Sequence, residues 1–598
     1  MKHFAKKLIA FMLCFCLISA VAAPATFAGS NDNYAYTAEE AKLEKTGNIL
    51  TKILDFLVND LLLGTLARIL PDLSFVKEDV SGNDDIKEYF YSGDSFFLDT
   101  KSESFSWTVG YGQRSIIPDD FGVMFKYARG SYAPWGYSTG MYTDDDGNDE
   151  DMKVRTIILD DNTGRGKVAF CSVDCIGIAN ADVQKIRAAC ADIVDEWDII
   201  SLNVTAIHSH QAIDSQGVWG DPLTTIATNL TSEMTGVTKS GVNEDYLNTI
   251  IERTKLSLQD AYADMKDGKL TYTNIELDDY FHTRTVSADC DTDMHRIMFY
   301  PADGSKSTVV ASFGAHPEVT SYGAEFDSRL SADFVYYMEK LINKAGSNFI
   351  FIQGNVGTNS CGRGKSNDGL DLADNHESAM RFGYEMGYIC LGATMSEGER
   401  KTLNDDLGDK LGVAEYEGQE DYTVWYDGLD TFTETPVEAV LNIAHKQVKI
   451  EMDNSTALTL IKLGLANNNI SYNKFTHCYY TTTEVGYMEL GSALKVFLSP
   501  GELYSELLVG GYGLRNSDYN SLREDYGKNV ILFDLMNDAI GYVCPDETYC
   551  VVGYKLNPSS GELEDDSWCM VVSIGKTTAS SLMSTYAALV DEMDETRE

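Results

Sequence analysis

The chain has 598 residues, with 92 acidic against 47 basic side chains and a formal charge of −45. That length supports a large core and more than one packing unit. The acidic balance excludes a nucleic-acid binder and electrostatic attachment to anionic lipid, and it suits a soluble protein with a solvated surface.

Residues 1–28 read as a secretory signal peptide. Lys2, Lys6 and Lys7 give a basic start, residues 8–21 form an apolar run too short to span a bilayer, and Ala22, Ala23, Ala25 and Ala28 offer cleavage points. No cysteine stands where a lipoprotein cleavage needs one, so the sequence predicts a secreted, extracellular protein with no stable membrane anchor. Of the 12 cysteines, Cys14 and Cys16 lie in that run. No CxxC pair is present, which leaves a zinc ribbon unsupported, and the disulfide pairing and oligomeric state are not encoded in the pattern.

Residues 29–104 read as an N-terminal extension. Within it, residues 48–70 are rich in Leu and Ile, with Lys52, Asp55, Asp60 and Arg68 interspersed. This is an amphipathic helix, charged too often to cross a membrane and ended by Pro71, and it is expected to pack on the main domain.

From residue 105 onward, strands and helices alternate. Residues 153–159, 167–176, 199–206, 308–313, 348–353, 494–498 and 529–535 are short apolar or β-branched runs, which predict strands. Residues 181–197, 244–265, 333–345 and 380–394 carry helical patterns, with Asn243 as an N-cap. Residues 400–436 are acidic and polar and read as an insertion. The pattern predicts an α/β fold of the α+β sandwich type: a mixed sheet core with flanking helices, and an extra N-terminal helical segment.

The chemistry concentrates where strands end. The run 199–206 leads to Ile207-His208-Ser209-His210; side chains two apart on a strand leave the same face, and two imidazoles that close favour a metal. Residues 308–313 lead to Gly314-Ala315-His316-Pro317-Glu318, and 348–353 lead to an Asn/Gly loop, Gly354 through Ser360. Residues 494–498 lead to Ser499-Pro500-Gly501-Glu502 and then a helical stretch at 503–508, and 529–535 lead to Asn537 and Tyr542. Two His, one Glu and one Tyr on separate strand ends make a nitrogen/oxygen zinc site with room for water. No GxSxG elbow is present, which disfavours an ordinary serine hydrolase.

These residues resemble the neutral, non-lysosomal ceramidases and the bacterial group that shares their N-terminal catalytic domain. Val109-Gly110-Tyr111-Gly112-Gln113-Arg114-Ser115-Ile116-Ile117-Pro118 is similar to the family's opening GxGxxDITP stretch, and Val173-Asp174 to its SxD strand end. Ala206 through His210 resembles THTHSGP, Gly314 through Pro317 resembles AVHP, and Asn355 through Ser360 resembles NVGDVSPN. Pro500-Gly501-Glu502 matches PGE, Asn537 through Val543 resembles SNxYxxYVTT, and Ser573 through Lys576 before a helix resembles the closing SLGP-helix of shorter members. The resemblance spans residues 105–590. Gln211-Ala212-Ile213 and Thr358 depart from it, and of NRSPxAY only Thr283-Arg284-Thr285 remains.

The resemblance implies zinc held by His208, His316, Glu502 and Tyr542, with the family's catalytic serine at Ser360. It makes His210 a proton-transfer or outer-shell residue and Arg284 a binder of the substrate's polar end. Asp174 either orients a histidine or caps its loop, and Ser360 either attacks or holds the substrate. The implied activity is zinc-dependent hydrolysis of an N-acyl amide, turning a ceramide-like lipid into sphingoid base and fatty acid. A zinc-dependent esterase on another substrate, or a metal-stabilised binding protein with degenerate catalysis, are the alternatives.

Overall fold

The computed structural model describes residues 49–78, 106–118, 140–411 and 431–597, less short interior stretches such as 71, 74–76, 219–221, 284–289, 322–328, 362–374, 557–562 and 566–571. The expected signal peptide, most of the 72–104 connector, Arg284 and residues 412–430 of the expected insertion lie outside the described residues.

Two sheets face each other. The first holds β1 (Trp107–Ser115), β2 (Lys153–Asp160), β3 (Lys167–Val173), β4 (Ile199–Ala206), β5 (Lys266–Glu276), β6 (Asp293–Pro301), β7 (Thr308–Phe313) and β8 (Asn348–Gln353) in the order β8-β7-β6-β5-β1-β2-β3-β4. Thr435–Val437 adds a short strand beside β5. Pairs β7/β8 and β3/β4 are parallel, and the other neighbours along this path are antiparallel.

The second sheet is built on β9 (Leu441–Glu451), β10 (Ile470–Asn473), β11 (Cys478–Leu490), β12 (Leu494–Leu498) and β13 (Val530–Phe533). β11 carries β9 along one edge and, along the other, β10 beside its first residues and β12 beside its last; β12 and β13 are parallel. Thus each sheet is mixed, as expected.

Helices cover the outer faces. A helical segment, α1, spans 49–69; α2 is Asn180–Glu196, α3 Glu244–Ala263, α4 Phe334–Lys344, α5 Asn375–Gly392, α6 Ser455–Lys462 and α7 Thr578–Glu595. Side-chain alternation sets the layers. On β2, Ile157 and Leu159 join Trp107, Phe170 and Ile352 in the core between the sheets, against Ile443, Met488, Val496 and Phe533. Val154 and Ile158 point the other way, onto Val183 and Ile186 of α2 and Tyr246, Ile250 and Leu258 of α3. Phe349 and Phe351 of β8 pack on α4 and α5, and Val485 and Phe497 of the second sheet on α7. A sheet covered on both faces buries both sides of its strands, so they read as apolar runs.

The helix expected over 244–265 ends at Ala263, because Lys266 already pairs with Val109 of β1. The helix expected at 503–508 is Ser505–Val509, because Glu502–Leu503 pairs with Tyr542–Val543. Strands β5, β9 and β11 carry no long apolar run to reveal them. The thiols of Cys171, Cys175, Cys190 and Cys390 are pushed up to about 12, chiefly by burial, which leaves little thiolate at neutral pH.

The first sheet curls until its edge strands approach one another. Phe351 O on β8 accepts a hydrogen bond from Ser172 Oγ on β3, and Gln353 Nε2 reaches Ile207 O past β4 at 3.0 Å. This closure brings the ends of the parallel pairs together.

Candidate metal centre

His208 stands just beyond β4 with φ +71°, a left-handed conformation that side chains other than glycine seldom adopt. Such strain persists only where surroundings over-determine it. Here its backbone N–H donates to Cys175 O at 3.0 Å and its Nδ1 to Ile176 O at 2.7 Å, both in the loop after β3. His316, in the loop after β7, uses Nδ1 in the same way, donating to Asn359 O at 2.8 Å. The His210 amide donates to Pro317 O, and Gln353 Nε2 donates to both Ile207 O and Ala315 O, so the two histidine loops form one unit.

Carbonyl acceptors at both Nδ1 atoms fix the tautomer and leave each Nε2 as a bare lone pair. These lone pairs converge. Nε2 of His208 lies 3.2 Å from Nε2 of His210. Oε2 of Glu502 lies 3.3 Å from Nε2 of His208 and 3.4 Å from Nε2 of His316, and Tyr542 Oη is 3.4 Å from that same His316 atom. Glu502 and Tyr542 are register partners in a short parallel pair, so their side chains leave one face side by side. All five residues are buried.

The group fits a metal. Four ligands held tetrahedrally at roughly 2.0–2.1 Å from zinc stand roughly 3.3 Å apart, the spacing found here. Glu502 Oε2 is buried with no hydrogen-bond partner among the described residues. Burial works against its ionisation, yet the neighbouring His208 and His316 hold this carboxyl below its usual range; His208 in turn is raised by Glu502 against the effect of burial. A buried carboxylate facing imidazole lone pairs calls for a cation at the centre. The three histidines are a group that could hold a metal ion, so the structure places His210 directly beside His208 and His316.

The surrounding loops are locked by hydrogen bonds. Ser505 Oγ donates at 2.7 Å within a cluster containing Asn355 Oδ1, Asn359 Oδ1 and Thr358 Oγ1. Asp534 Oδ2 accepts from both Val356 N and Leu503 N at 3.0 Å, tying the Asn/Gly loop to the residue after Glu502. A Cβ on Gly314 would stand 1.8 Å from Asn355 O, so only glycine lets these two loops touch. Gly314→Ala is therefore expected to cost about 1–3 kcal/mol or more and to weaken metal retention; urea unfolding and metal analysis of the variant check this.

Ser360 is buried and follows Asn359, whose carbonyl holds His316. Asp174 lies elsewhere: its carboxylate accepts from Arg155 Nη1 at 2.6 Å and Lys153 N at 2.7 Å, not from a histidine. The acceptor that orients His208 is the Ile176 carbonyl two residues on. Sequence reasoning gave no role to Gln353, Asp534 or Glu318, whose Oε2 lies 3.7 Å from His210 Nδ1. The signal for the first two was a polar residue closing an apolar strand.

Fold and site together define an α/β sandwich with a histidine–carboxylate centre at its strand ends. No protein-family model matches the chain, and no curated protein sequence matches it. Among solved structures, the chain shares the fold of the neutral ceramidase from Pseudomonas aeruginosa, with a TM-score of 0.53 and 13% identity over 82% of this chain and 75% of that one. A ceramidase complexed with C2 matches equally well, with a TM-score of 0.53 and 13% identity over 82% and 76% of the two chains.

Proposed function

We propose that this protein is a secreted, zinc-dependent hydrolase that cleaves the N-acyl amide bond of a ceramide-like lipid. The observation that carries the reading is the convergence of His208, His210, His316, Glu502 and Tyr542 on one buried point, with the histidine Nδ1 atoms of His208 and His316 turned outward to carbonyls. The fold shared with neutral ceramidase, and the resemblance of the sequence motifs to that family, support the substrate class.

His208, His316, Glu502 and Tyr542 are the proposed ligands. Zinc bound there would acidify water and polarise the amide carbonyl. His210 takes the proton-carrying role; Glu318, facing its Nδ1, favours the imidazolium that delivers a proton to the leaving amine. Arg284 is assigned to the polar end of the substrate. Ser360→Ala separates the two roles open to that hydroxyl: a loss confined to kcat marks a group acting at the reacting carbon, and a rise in KM alone marks a binding group.

The test is hydrolysis of a fluorescent short-chain ceramide by the purified protein. Turnover is expected to vanish on chelation and return with zinc. Turnover that survives exhaustive chelation would sink the metal reading, and inactivity of the zinc-loaded protein would sink the substrate.

A further inference from the structure

The helix α1 is docked with its polarity reversed. A helix on a soluble domain normally buries its apolar stripe and exposes its charges. Here Asp55 and Asn59 point inward, 7% and 0% exposed, and bond to the main domain: Asp55 Oδ1 accepts from Val551 N at 2.7 Å, Asn59 Oδ1 accepts from Ser455 N at 2.9 Å, and Asn59 Nδ2 donates to Asp453 O at 3.2 Å. Ile49, Ile53, Phe56, Leu57, Leu61 and Leu62 face outward, each 46–57% exposed. From Leu63 onward the segment buries Leu63, Leu66, Ala67 and Leu70, of which Leu66 and Leu70 pack against Ile226, Leu230, Leu463 and Leu465.

The exposed apolar surface continues onto the elements that carry this helix. Among the described residues, every exposed large hydrophobic side chain except Tyr300 lies on α1, on the 222–237 segment (Leu223, Met234, Val237) or at the turn between β10 and β11 (Phe475). The 222–237 segment packs on α1 through Ile226 and Leu230, and the strand after Phe475 is tied to it through Tyr479 and Lys462, whose Nζ donates to Ala67 O. Beneath α1, Val551, the partner of Asp55, belongs to the same buried apolar cluster as Tyr542.

We propose that α1, with Leu223, Met234, Val237 and Phe475, is a docking surface for the face of an uncharged or zwitterionic lipid bilayer. This rests on the reading of the site as one that acts on a lipid amide. Two inward polar anchors fix the helix while its apolar face stays outside, the arrangement of a helix lying in a lipid interface. The charge selects the lipid. Lys52 and Arg68 balance Asp55 and Asp60 within the helix, while the chain as a whole carries −45, which opposes an anionic surface. An apolar surface spread over three elements suits a lipid face better than the single seam of a helix pair. No helix among the described residues is long and apolar enough to cross a membrane, so the contact is lateral.

The test is flotation of the purified protein with phosphatidylcholine vesicles that contain no ceramide, beside the triple variant Ile53→Glu, Phe56→Glu, Leu57→Glu. The protein is expected to float and the variant to lose on the order of tenfold or more in partitioning. Phosphatidylglycerol vesicles are expected to bind more weakly than phosphatidylcholine. Both proteins should hydrolyse a soluble short-chain ceramide equally, which shows that the variant is folded. Failure of the unmodified protein to float, or equal flotation of the variant, overturns the proposal. So does a dimer that the triple variant splits, because the surface then belongs to a second copy. Flotation lost in a variant whose circular dichroism and urea unfolding match the wild type, with no amide turnover in either protein, leaves the docking surface standing and removes the reading of the site.

Discussion

Replacing His208 is expected to remove turnover of a short-chain ceramide by more than the ~10–100-fold that loss of an outer-shell partner costs a metal site. His208 supplies an Nε2 lone pair within 3.2–3.3 Å of two other donors, and its Nδ1 is held by a backbone carbonyl that no side-chain change can supply elsewhere. The choice of replacement matters. At φ +71° alanine adds backbone strain of its own, whereas asparagine tolerates the left-handed region. His208→Asn therefore isolates the loss of the imidazole. A His208→Asn protein that keeps more than a tenth of wild-type kcat/KM would contradict the assignment.

Arg155→Met is expected to cost about 3–5 kcal/mol of stability, read from urea unfolding. Arg155 is fully buried, with Nη1 2.6 Å from Asp174 and Nη2 2.5 Å from Glu339. Arg155 and Lys153 hold the Glu339 carboxyl down at about 2 against the effect of burial. Without the guanidinium, Asp174 is a buried carboxylate with no cation, and Glu339 keeps only Lys153. Arg155→Lys should rescue little, because a single ammonium does not reproduce the two-pronged bond. The pH dependence follows from the sign of the shift. Burial already holds the Asp174 carboxyl above its usual value and pushes it further up once Arg155 is gone, while Glu339 loses the stronger of the two cations that hold it down. The Asp174 contribution favours folding below the unfolded pKa and is lost as the pH rises through the folded one, so the deficit should be smallest in acid. The same change loosens the end of β3, from which Cys175 and Ile176 hold His208. A variant as stable as the wild type at neutral pH would show that this network carries no load.

Local pattern made the strand ends legible. β4, β7, β8 and β12 are contiguous apolar or β-branched runs because both faces of their sheets are covered, and each sequence-predicted boundary matches the observed strand. His208, His316, Glu502 and Tyr542 could be collected because each follows such a run. The order β8-β7-β6-β5-β1-β2-β3-β4 was not legible, since pairing is a long-range property that no window of residues encodes. The curl that brings Gln353 to Ile207 is of the same kind. For Asp174 the sequence leaves two roles, orienting a histidine or capping its loop; its carboxylate meets Arg155, two residues along the neighbouring strand, and the Lys153 amide, partners that only the strand pairing brings to it. The helix at 48–70 was legible as amphipathic, but which face turns inward depends on the partners of Asp55 and Asn59, 496 and 396 residues away.

The central claim is that these side chains hold one metal ion. It is tested most directly by measuring the metal content of the purified protein and of a double variant, His208→Asn with His316→Ala, by inductively coupled plasma mass spectrometry. About one zinc per chain in the wild type and none in a folded double variant is the predicted result. Stoichiometric metal in the double variant, or full turnover by a wild-type protein that contains none, would contradict it.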